Sequence, residues 1–109
     1  MICRLWRGWT TPDNADAYER IVSQEVLPSI AERKVPGYHG AYLLRRETDE
    51  GEVEFATIMH FDDLEAVKAF AEGDDYETAY VPERAQAVLK RFDARSAHFE
   101  VLLRPDDTR

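Results

Sequence analysis

The 109-residue chain predicts an α+β fold of the ferredoxin-like kind, a split βαβ arrangement ordered β-α-β-β-α-(α)-β with helices on one face of an antiparallel sheet. Three observations lead there. A buried strand runs directly into an amphipathic helix between Glu52 and Phe70. Two strand-like runs flank a polar turn around Gly51. Further helix and strand patterns stand on either side of that unit in alternating order.

Taken in order, Ile2 to Trp9 is a strand of mixed apolar and cationic residues, with Ile2, Arg4, Trp6 and Gly8 on one face and Cys3, Leu5, Arg7 and Trp9 on the other. Thr11-Pro12-Asp13 starts a helix: Thr11 at the N-cap, Pro12 at the first helical position, Asp13 favourable to the dipole. Ala15, Tyr18, Ile21, Val22, Val26 and Ile30 form its apolar stripe. Pro28 predicts a kink or an early end, since it removes one helical hydrogen bond. Tyr38 to Arg46 is the second strand, Glu47 to Glu52 the turn, and the third strand completes a hairpin.

On that third strand Val53, Phe55, Thr57, Met59 and Phe61 share one face, and Ala56, Ile58 and His60 the other. Asp62 is the expected cap of the following helix, with Glu65 at capping-box spacing and Leu64, Val67, Phe70 and Ala71 as the stripe. Gly73-Asp74-Asp75 stops it. A short turn spans Tyr76 to Tyr80, Pro82 starts a third helix with Ala85, Val88, Leu89 and Phe92 inward, and Arg95 to Leu103 is the last strand. One domain over residues 1–104 is expected, followed by a frayed polar tail at 105–109.

Every strand carries bulky or apolar residues on both faces. A monomer would leave one face wet, so a second copy laid sheet to sheet, a homodimer, is expected. No apolar run approaches membrane-spanning length, and the first residues lack the pattern of a signal peptide. The single cysteine, Cys3, fits a reducing compartment, and a cytoplasmic location is expected. The net charge is −8, and residues 47–77 hold twelve acids against Lys68 alone; such a field disfavours nucleic acid.

Four stretches carry a resemblance. Arg4-Leu-Trp-Arg-Gly8, Pro36 through Arg46, Phe61-Asp-Asp-Leu-Glu-Ala66 with Phe70-Ala71, and His98-Phe-Glu-Val101 together resemble the antibiotic biosynthesis monooxygenase family over roughly residues 2 to 103. The resemblance implies a dimeric α/β barrel with a ligand pocket between sheet and helices in each subunit. It also implies either cofactor-independent oxygenation of quinol-like or anthrone-like polyketides, or haem degradation. The haem-degrading branch uses an asparagine on the first strand and a histidine in the second helical region. Here the first strand has no asparagine and Tyr80 falls near that histidine's place, so no haem and no other cofactor is expected. Phe61 stands where the family often has tryptophan, and Asp62-Asp63 where it has Asp-Ser.

The candidate chemistry is sparse. His60 and His98 are the candidate catalytic residues, placed on one side of the sheet by their alternation with Phe61 and Phe99. Either could deprotonate a phenol near neutral pH, or simply be hydrogen-bonded inside the barrel. Trp6 and Phe61 can clasp a flat ring and Tyr80 can hydrogen-bond its oxygen. Arg4, if buried, needs either a carboxylate from Glu54 or Glu100 or an anionic ligand. No spacing predicts a metal site, and no nucleophile or nucleotide motif is present. Two functions follow: a cofactor-independent monooxygenase or related small oxidoreductase acting on an aromatic polyketide or quinol, or a non-catalytic dimeric domain binding a small hydrophobic metabolite. The pocket is expected on the first and third strands, rimmed by the Tyr76 to Tyr80 turn.

Overall fold

The computed structural model describes residues 1–72 and 75–107. Strand β1 (Ile2–Thr10) is followed by helix α1 (Pro12–Ile21), a π-helical turn (Val22–Val26) and helix α2 (Leu27–Glu32). The hairpin strands β2 (Tyr38–Glu47) and β3 (Val53–Phe61) come next, then helices α3 (Leu64–Ala71) and α4 (Glu83–Gln86) and strands β4 (Arg91–Phe92) and β5 (Ala97–Glu100). β3 lies between β2 and β1, antiparallel to both, and β4 and β5 pair with the other edge of β1. This is the ferredoxin-like α+β order.

The two-residue period of β1 and β3 decides which side chains meet the helices. Phe55 and Val53 pack with Tyr18, Ile21 and Val22 of the first helical segment and Ala85 of α4. Phe61 packs with Ile30 of α2 and Ala66, Val67 and Phe70 of α3. Beside the second cluster the chain turns at Gly37, whose φ of 83° favours glycine and whose carbonyl accepts the Asp62 N–H at 2.8 Å. A Cβ there would come within 2.7 Å of the Ala66 Cβ, so the tight approach of α3 to this turn also requires glycine.

Several boundaries differ from the sequence expectation, each for a local reason. The helical chain neither ends nor breaks at Pro28; the π turn just before it absorbs the lost hydrogen bond, and α2 continues to Glu32. The cap of α3 is Asp63, which accepts the Ala66 N–H at 2.9 Å, whereas Asp62 still belongs to the end of the hairpin and pairs with His39. α3 ends at Glu72 in a left-handed conformation (φ 54°); Gly73 and Asp74 of the expected stop lie outside the described residues. The helix begun at Pro82 is only four residues long, and Phe92 sits on β4, 37% exposed.

The expected last strand is shorter and sits on an interrupted edge. Gly8 faces Phe92 and Leu5 faces Ala97, so three steps along β1 are matched by five on the edge, and residues 93–96 bulge. β5 stops at Glu100 because β1 has run out: Val101 N–H reaches Met1 O at 2.9 Å, and Leu102 and Leu103 beyond it are 82% and 68% exposed. Pro105–Asp107 form a 3-10 turn, and Thr108 and Arg109 of the expected tail lie outside the described residues.

The acidic segment is not a bare field once folded. Glu52 bonds Arg91 (2.9 Å) and Lys90 (3.1 Å), Glu54 bonds Arg46, Glu72 bonds Arg33, and Asp75 and Glu77 share Arg95. No helix among the described residues is long and apolar enough to cross a membrane.

Candidate functional site

A cavity opens between the sheet and the helices. Its floor comes from paired positions on β1 and β3, Arg4 opposite Met59 and Trp6 opposite Thr57, all pointing to the helical side. Tyr18, Val22, Val26, Leu27 and Ile30 form one wall, and the π turn that places Val22 and Val26 there is a feature often found beside functional sites. Phe70 closes one end. Tyr80, Val81, Pro82 and Ala85 form the rim, and Ser96 adds a hydroxyl from the edge bulge. The cavity measures about 50 Å³. A larger occupant must displace the rim, where Tyr80 is 58% exposed.

The polar groups of this cavity are few and fixed. Trp6 donates its indole N–H to Asp93 O at 2.7 Å, using the carbonyl of the bulge, and so presents only its apolar ring. Arg4 is 3% exposed. Its Nη1 donates to Tyr76 O (2.6 Å) and to His98 Nε2 (3.0 Å), its Nη2 donates to Thr78 O (3.0 Å), and its guanidinium carbon lies 5.3 Å from the Phe70 ring centre. Neither Glu54 nor Glu100 reaches it. Arg7, exposed on the other face, has Asp93 as partner at 3.2 Å. A buried guanidinium with no carboxylate is costly to hold, and burial pulls the Arg4 pKa below its ordinary value.

Arg4 also defines the state of His98. Arginine has no lone pair to offer, so His98 Nε2 must be the acceptor and the ring proton sits on Nδ1. That Nδ1 is buried without a hydrogen-bond partner. Burial first, and Arg4 second, push the His98 pKa down, against a smaller upward pull from Glu77. His98 is therefore neutral, with its one lone pair already engaged, and its ring packs edge-on against Tyr76.

His60 lies elsewhere. The register pairs Cys3 with His60 and Arg4 with His98, so the two histidines occupy opposite faces of the sheet, contrary to expectation. Parity within each strand is correct, but Phe61 faces the helices whereas Phe99 faces away. His60 Nδ1 lies 3.8 Å from Cys3 Sγ and its ring meets Tyr42, on the face away from the cavity. Burial raises the Cys3 pKa, which does not suit a nucleophile. Phe61 is fully buried in the second core cluster and does not line the cavity, because the opening ends one pleat earlier, at Met59.

Thus Arg4, Trp6 and Tyr80 line the cavity together, His98 stands behind them bonded to Arg4, and His60 and Phe61 lie apart. The helical wall, Ala85 and Ser96 escaped the sequence reading. The stripe of the first helix was visible, but only the packed fold leaves a gap beneath it. Among the described residues, no group of three His, Cys, Asp or Glu side chains is placed to hold a metal ion.

A family model for antibiotic biosynthesis monooxygenase matches residues 1–81. No curated protein is significantly similar in sequence. Among solved structures, Rv0793 from Mycobacterium tuberculosis is 14% identical with a TM-score of 0.61, over 95% of this chain and 97% of that one. The haem degrader MhuD from the same organism, solved with two haems in its active site, is 20% identical with a TM-score of 0.57, over 95% and 98%. PA3566 from Pseudomonas aeruginosa is 18% identical with a TM-score of 0.57, over 94% of each. At these identities the likeness is one of fold.

The cavity residues here do not fit haem. His98, the histidine nearest the cavity, is bonded through Nε2 to Arg4, and His60 is on the opposite face of the sheet, so neither is free to hold a haem iron there.

Proposed function

The chain belongs to the antibiotic biosynthesis monooxygenase family, and from that premise we propose that it is a small cofactor-independent oxidoreductase acting on a quinol-like or anthrone-like aromatic. The observation that carries the reading is the cavity: apolar and aromatic walls around one buried cation, between sheet and helices, with a rim that includes an exposed tyrosine. In this chemistry the substrate supplies all the electrons. One oxygen atom of O₂ enters at an activated ring carbon while the substrate loses two hydrogens in all, both from that carbon in an anthrone and from C–H and O–H groups in a quinol, and the other oxygen atom leaves with those hydrogens as water. Trp6 and Phe70 hold the ring, and Tyr80 meets an oxygen substituent at the mouth. We place the working unit as a homodimer, because the outer sheet face leaves Tyr42, Leu44 and Phe99 exposed at 63%, 46% and 53%.

A second reading has its own support. The narrow opening and the absence of a free histidine from the cavity favour a non-catalytic domain that binds a small hydrophobic metabolite. Oxygen uptake on a panel of quinols and anthrones separates the two. Protein-dependent uptake that falls at least tenfold when Ala85→Leu fills the cavity supports the oxygenase. Saturable ligand binding with no uptake on any member overturns it in favour of the binding domain.

A further inference from the structure

We propose that the cavity takes its aromatic ligand as a monoanion, with the ionised oxygen of a phenol or enol seated on the Arg4 guanidinium. This rests on the reading of the cavity as the substrate site and adds the charge state in which the substrate is held. A guanidinium has five N–H donors. Three are engaged by Tyr76 O, Thr78 O and His98 Nε2, which leaves the Nε–H and one Nη2 N–H without a protein partner among the described residues, on a side chain that lines the cavity. The two carbonyls and the Phe70 ring fix the plane of the group, so it is positioned before any ligand arrives.

Glu100, two residues beyond His98 on the same face of β5, does not reach Arg4, and on α4 Arg84 pairs with Glu25. On β5, His98 is neutral and faces Arg4 with a lone pair. On the Tyr76–Thr78 turn, the Glu77 carboxylate is drawn off to Arg95 at 2.8 Å. At the C-terminal cap of α2, Arg33 lies 5.2 Å from the Phe70 ring centre and pairs with Glu72. On α3, Lys68 pairs with Glu65. No carboxylate touches Arg4 among the described residues, and the walls are largely apolar, where an unscreened charge acts strongly on an oxyanion. The same contacts explain how a site without a free histidine can activate a phenol. The O–H bond breaks, the proton goes to bulk water, and the anion remains on Arg4.

The direction of a pKa shift tests this, because an apolar cavity alone raises the pKa of a bound phenol and an unpaired guanidinium lowers it. The probe is 4-nitrophenol, whose anion absorbs at longer wavelength than its acid, titrated across pH with excess protein. The expected result is an apparent pKa lowered by about one unit, a tenfold gain in ionisation. Arg4→Met should abolish it and Arg4→Lys should keep part of it. If Arg4→Met does not fold, Ala85→Leu, which blocks the cavity and leaves the guanidinium intact, decides: the shift should vanish there too. Nitrophenol that binds with an unchanged or raised pKa, or a shift that survives in Arg4→Met or Ala85→Leu, overturns the inference and leaves the cavity reading standing. Absence of binding in either charge state overturns both.

Discussion

Asp62 and Asp63 are chemically identical neighbours with different roles, and only the cap position distinguishes them. Asp63→Ala removes the acceptor for the Ala66 N–H and should cost about 1 kcal/mol in denaturant unfolding. Asp62→Ala loses only an exposed pair with His39 and should cost less than half of that. His98 offers a pH test. Its folded pKa is depressed, so its contribution to stability is present above the unfolded value near 6.5 and is lost as pH falls through the folded one. The melting temperature of the native protein should therefore fall more steeply between pH 7.5 and 5 than that of His98→Gln, whose amide oxygen can still accept from Arg4. Equal slopes would mean that His98 protonates freely. At this scale the sequence was half legible. Alternation along β1 and β3 named Arg4 and Trp6, but two of the three partners of Arg4 are backbone carbonyls, which any sequence supplies. The face of each histidine depended on a register that no single strand encodes.

Helices and strands with their own punctuation were the most readable elements. β1, β2 and β3 follow period-two alternation and a Gly51 turn, and each lies within a residue of its expected bounds. The edge strand was not readable, because its end is dictated by the end of β1 and its bulge at 93–96 by the contacts Asp93 makes with Trp6 and Arg7. The long first helical segment is the instructive case. Proline within a regular helix costs about 3 kcal/mol, and replacing it should return that amount. Here Pro28 is the second residue of α2, directly after a π turn, where the missing N–H is already accommodated. Pro28→Ala should thus change unfolding free energy by no more than about 1 kcal/mol, since what remains is the loss of proline's restraint on the unfolded chain. A gain near the full helical penalty would show the π turn to be a strained response to proline.

At the scale of the whole molecule, folding sorts what the sequence keeps apart. Acids of residues 47–77 meet arginines and lysines from the rest of the chain, so the segregated charge becomes a set of surface pairs. The two sheet faces are sorted as well. One is covered by helices; the other carries Leu5, Ile58 and Ala56 on the same face as exposed Tyr42, Leu44 and Phe99, with Trp9 shielded by Arg91 at 3.8 Å from its ring centre. Scattered apolar residues need no explanation, but a contiguous set across neighbouring strands does. A second copy applied to that face would remove it from water, and light scattering at micromolar concentration should give roughly twice the chain mass of 12.6 kDa. Tyr42→Asp combined with Leu44→Lys should return a monomer, because each introduces a charge that dimerisation would have to desolvate. The cavity lies on the opposite side of the sheet, so the same double variant should still bind the small-molecule probe. A native protein that is monomeric and soluble at high concentration would mean that the outer face is tolerated in water.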